Sequence, residues 1–86
     1  MKGLIVNYRR GRHTQRPNWA IIHIPGIKSR EEAQKLVGKK VIWRSPGGKG
    51  IVGEIRAPHG NGGKVRARFE RGLPGQALGT EVEILD

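Results

Sequence analysis

Three histidines, His13, His23 and His59, are the side chains best suited to proton transfer near neutral pH. Such chemistry needs a nucleophile, a carboxylate or a metal within reach. The chain has no cysteine, which removes thiolate nucleophiles, thiolate metal ligands and disulfides together. Ser29 stands before Arg30-Glu31-Glu32 as a helix cap, and Ser45 sits in a Pro-Gly turn. Glu31 and Glu32 open that helix, where carboxylates favour the dipole. Glu81 and Glu83 share one strand face and read as solvated. Neither acid pair is flanked by a histidine or nucleophile, and no three or four ligands have metal-site spacing. The residues therefore predict neither an enzyme nor a cofactor. One catalytic alternative stays open, a nuclease built from His13, His59 and an arginine.

The residue types point instead to anion binding. Seventeen Lys and Arg oppose seven Asp and Glu across 86 residues, giving a formal charge of +10. Residues 1–30 carry seven basic residues and no acid. That excess repels itself unless a polyanion meets it, nucleic acid before an anionic membrane. A thermophile-like surface is the competing explanation, but that route adds Glu along with Lys. Arginine makes up ten of the seventeen, and its planar fork suits phosphate. Arg9, Arg10, Arg12 and Arg16 crowd one polar loop, a first binding candidate. The second is Pro58 to Arg68, where Gly60, Gly62 and Gly63 would let a partner approach the backbone, beside His59 and Asn61. Lys64, Arg66 and Arg68 then alternate along one exposed strand face. Their spacing of about 6.5–7 Å is near that of successive RNA phosphates. The turn Ser45 to Gly50, with Lys49, is a third candidate.

These residues need elements to hold them. Fourteen glycines and five prolines cut the chain into short pieces, as an all-β fold requires. Strands are predicted over Leu4–Arg9, Trp19–Ile24, Lys39–Arg44, Ile51–Ala57, Lys64–Glu70 and Thr80–Leu85. Pro58–Gly63 reads as a Gly-rich turn. One helix of about two turns starts at Ser29, buries Ala33, Leu36 and Val37, and stops at Gly38. Six short strands and one short helix predict a small, closed, six-stranded antiparallel barrel forming one domain over 1–86. Closure removes exposed strand edges. Trp43 and Phe69 fall on inward faces, while Tyr8 and Trp19 stay open. Few exposed aromatics favour reading RNA by shape and phosphate over single-strand stacking. No apolar run reaches the roughly 20 residues of a spanning helix, and the N-terminus lacks a signal-peptide core, so the expectation is a soluble, intracellular protein with no membrane partner.

The chain closely resembles the archaeal and eukaryotic large-subunit ribosomal protein family L35Ae. The densest match is Gly53 to Pro74, with Gly53, His59-Gly60, Gly63, Val65, Ala67, Phe69 and Leu73-Pro74 in the family pattern. Gln15-Arg16-Pro17-Asn18, Ile24 with Gly26, Leu36 with Gly38-Lys39, and Ala77 with Gly79 also fit. Two departures stand out. Glu54 replaces a common lysine, and Ala57 replaces an arginine, with Arg56 beside it on the opposite strand face. The turn around Ser45–Gly50 is shorter than in many eukaryotic members. The resemblance implies a barrel of the translation-protein kind, non-enzymatic, cytoplasmic and bound to large-subunit rRNA among neighbouring ribosomal proteins. Members are also described as binding tRNA. It assigns RNA contact to Arg16, His59, Asn61, Lys64, Arg66 and Arg68; Arg9, Arg10, Arg12 and Lys49 rest on charge. The free protein is expected to be a monomer. The rival readings are a dissociable tRNA-binding translation factor and a small basic DNA-binding chromatin protein.

Overall fold

A computed structural model describes residues 1–9, 18–60 and 62–85. The elements are β1 (Lys2–Arg9), β2 (Trp19–His23), α1 (Arg30–Gln34), β3 (Lys40–Arg44), β4 (Gly50–His59), β5 (Lys64–Phe69), a 3₁₀ turn (Gly75–Ala77) and β6 (Glu81–Leu85). The strands close into an antiparallel barrel in the ring order β1-β2-β5-β4-β3-β6. Alternation sets which side chains fill it. Val65, Ala67 and Phe69 of β5 point inward, as do Val41 and Trp43 of β3 and Val82 and Ile84 of β6. Ile5, Ile22, Ile24, Ile55 and Leu73 complete the apolar centre. Each large side chain so buried contributes about 1.5–3 kcal/mol. The Trp43 indole keeps its polar edge satisfied by donating from Nε1 to Thr80 Oγ1 at 2.8 Å.

The helix forms where its cap predicts. Ser29 Oγ accepts from the Glu32 amide at 3.2 Å, and Glu32 Oε2 accepts from the Lys28 amide at 3.1 Å. The α-helix itself is one turn rather than two. The chain then coils through turns to Gly38, whose φ of +95° ends it. Ala33 and Leu36 bury against the barrel.

β4 departs most from expectation. It begins one residue early and continues through Pro58 and His59, so the predicted turn at 58–63 starts only at Gly60. Pro58 can lie in a strand because residues beyond Ile55 pair with β5 alone. That leaves the missing N–H no ladder partner to lose. A bulge between Ile55 and Ala57 makes the extension possible. It also corrects the place of Ala57. Alternation from the buried Ile55 puts Arg56 outside and Ala57 on the opposite face, but the bulge absorbs one residue and brings Ala57 to the outer surface beside Arg56. A second bulge in β1, between Ile5 and Asn7, bends that strand around the ring.

Candidate nucleic-acid interface

The outer surface of β2, β5 and β4 holds the strand-borne cations in a fixed register. His23, Lys64 and His59 align across the three strands, then Ile21, Arg66 and Ala57, then Trp19, Arg68 and Glu54. The β5 cations therefore form the central column, with a histidine on each side of Lys64. Lys64, Arg68 and His59 are exposed. Arg66 is half-buried between Ile21 and Ala57, and its Nε is buried with no hydrogen-bond partner among the described residues. Its stem lies along the sheet, as long cationic side chains do on apolar ground. Trp19 is half-buried on the same outer face rather than in the core.

Acids are segregated from this face. Glu81 and Glu83, on β6, pair with Lys2 at 3.7 Å and Arg44 at 3.2 Å, so the cations of β1 and β3 are partly neutralised there. On the β2–β5–β4 side the one strand acid is Glu54. It meets Lys40 at 3.0 Å and Arg56 at 3.2 Å. The hydrogen bond and charge of Lys40, with Arg56 behind it, hold its carboxyl below the ordinary value. Among the described strand residues, the cations of β5 are thus left without an acidic partner.

The Gly-rich turn has three different glycines rather than one flexible stretch. Gly60 has φ +71°, a region closed to most side chains. Gly63 is buried against the Ile27 and Ile24 carbonyls, so its close approach is to this chain and not to a partner. Gly60 and Gly62 both have open space around them, but only Gly62 lacks the left-handed φ. Arg30 Nη1 donates to Gly60 O at 3.3 Å, tying the turn to α1.

Lys49 is exposed in the β3–β4 turn, away from His59 at the other end of β4. Arg10, Arg12, His13, Arg16 and Asn61 lie outside the described residues; Arg9 ends β1 opposite Trp19, its side chain undescribed. Arg56 is an addition to the face, paired there with Glu54. Among the described residues no group of three His, Asp or Glu converges to hold a metal. No helix among them is long and apolar enough to cross a membrane.

These features define a small closed barrel with one cationic sheet face and no catalytic constellation among the described residues. The ribosomal protein L35Ae family model matches residues 1–85, and the chain belongs to that family. It is 61% identical over 84 residues to the large ribosomal subunit protein eL33 of Methanopyrus kandleri, covering 96% of this chain and 93% of that protein. To the protein of the same name from Dictyostelium discoideum it is 40% identical over 93 residues, covering 98% and 89%. To that of Candida albicans it is 34% identical, covering 99% and 87%. Proteins of this family are structural ribosomal proteins, and the chain is not an enzyme.

Proposed function

We propose that the chain is a structural constituent of the large ribosomal subunit in the cytoplasm, held on rRNA by the outer face of β2, β5 and β4. The observation that carries this is the Lys64–Arg66–Arg68 column at the centre of a face whose one strand acid, Glu54, is paired with Lys40 and Arg56. Relatives named as large-subunit proteins across nearly the whole chain support it. The mechanism is adhesion without turnover. The barrel is a rigid mount, and each phosphate that a cation neutralises releases condensed counterion. The unsatisfied Nε of half-buried Arg66 gains a partner when a phosphate arrives. His59 at the edge of the column and the basic residues of 9–16 extend the contact. Neighbouring ribosomal proteins are the other partners, and the free chain is a monomer.

The test is sedimentation of a native lysate through a sucrose gradient after a high-salt wash, with the protein quantified in each fraction. One copy per large subunit is the expected result. Recovery at the top of the gradient with tRNA moves the protein to a dissociable factor. Recovery with DNA refutes the ribosomal reading outright.

A further inference from the structure

We propose that a cleft at one end of the barrel seats a single unpaired nucleotide of the bound RNA; this rests on the RNA-binding reading above. The β1–β2, β3–β4 and β5–β6 connections all leave the barrel at the same end. Between the β3–β4 turn and the segment after β5 lies a cleft of about 440 Å³. That is within the roughly 300–1,000 Å³ of small-ligand sites.

The lining has two halves. Trp43, Ile51 and Pro74 make an apolar wall. Trp43, only 3% exposed, backs this wall from the core, where it is held by Thr80. Lys49, Arg71 and Gln76 make a polar rim, and all three are exposed. The turn bearing Lys49 is closed by two bonds, Ser45 N to Lys49 O at 2.7 Å and Gly48 N to Ser45 O at 3.0 Å.

Charge marks this cleft out. Four other clefts each carry carboxylate, from Glu81 and Glu83, from Glu54 and Glu70, from Glu81, and from Glu31. This one carries none. Lys2, Lys40, Arg44 and Arg56 are ion-paired, whereas Lys49 and Arg71 have no acidic partner among the described residues. Two unpaired cations suit a phosphate, and the half-buried aliphatic Ile51 and Pro74 suit the face of a base. The Gln76 amide supplies both donor and acceptor for a base edge.

A nucleotide within a chain fits better than a free one. The β5 column runs toward this end, and Arg71 follows Arg68 by three residues. RNA tracked along β5 therefore arrives at the cleft, and proteins read RNA where bases are unstacked and splayed out.

The test uses the full chain and three probes: a fully paired RNA hairpin, the same hairpin with a one-nucleotide bulge, and adenosine monophosphate. The expected result is about tenfold tighter binding of the bulged hairpin. Gln76→Ala and Arg71→Ala, both at exposed positions, should each bring the ratio close to one while thermal unfolding stays as in wild type. Equal wild-type affinity for both hairpins, or an unchanged ratio in both variants, overturns the proposal and leaves RNA binding intact. Failure to bind either hairpin instead overturns the RNA-binding reading on which it rests. Binding of adenosine monophosphate without preference for the bulge assigns the cleft to free nucleotides and overturns the chain-nucleotide proposal.

Discussion

Replacing Gly63 with alanine should be among the most damaging single-methyl additions to this barrel. Gly63 is buried, and its carbonyl accepts from the Ile24 amide at 2.8 Å. A Cβ there would overlap the Ile27 carbonyl oxygen and lie 3.0 Å from the Ile27 carbonyl carbon and 3.1 Å from Ile24 O. These are backbone atoms, so no rotamer change relieves the overlap. Overpacking of this kind costs roughly 1–3 kcal/mol. Loss of the Ile24 bond adds about 0.5–1.5 kcal/mol. The sum, about 1.5–4.5 kcal/mol, is a large part of the 5–15 kcal/mol that is typical of a domain. At roughly 4–8 °C per kcal/mol for a chain this size, Tm should fall by about 6–36 °C. Gly62→Ala is the paired control. Its surroundings are empty and its φ is not left-handed, so alanine should raise stability by about 0.4–1 kcal/mol by restricting the unfolded chain. Urea unfolding followed by tryptophan fluorescence measures both. A Gly63→Ala protein within about 0.5 kcal/mol of wild type, or the same outcome for both variants, would refute the packing argument.

Arg66→Met should fold as well as wild type or gain about 1 kcal/mol, because methionine keeps the packed stem and removes an unmet donor. Its affinity for a paired RNA hairpin should drop, and the slope of log K against log salt should lessen by about one. Trp43→Phe breaks the indole bond to Thr80 and should cost about 1–2 kcal/mol in a thermal melt. Glu54 predicts an acid effect. Its folded pKa is below the ordinary 4.5, so its stabilisation is complete above that value and is lost as pH falls through the folded pKa. Tm of wild type should therefore fall more steeply than that of Glu54→Gln below about pH 4.5, and added salt should shrink the difference.

What could be read from the residues was whatever depends on neighbours in the chain. Alternation in Lys64–Phe69 put Val65, Ala67 and Phe69 inside, and Ser29 with Glu32 placed the helix start. Val41 and Trp43 were legible as core for the same reason. The bulge in β4 was not, since one inserted residue shifts the phase and nothing in Ile55-Arg56-Ala57 announces it. Proline at 58 pointed to a turn because its strand has a free side only in the assembled ring. The separation of charge was equally hidden. Lys2 meets Glu81, and Arg44 meets Glu83, because β6 stands between β1 and β3, a fact of ring order and not of periodicity. The cleft joins Trp43 and Lys49 to Arg71 and Gln76 across more than twenty positions, beyond any local pattern.

That position of β6 also bears on how the chain is made. Of the six strands it is the last to be synthesised, yet it supplies the seam between β1 and β3. A nascent chain complete through β5 already displays Lys64, Arg66 and Arg68 while two strand edges stand open. Open edges invite pairing with another copy, and an unshielded polycation gathers stray nucleic acid. The hazard ends only when Val82 and Ile84 reach their places opposite Gly3 and Val41. Changes in this final strand should therefore lower the yield of usable protein more than they lower the stability of the finished barrel.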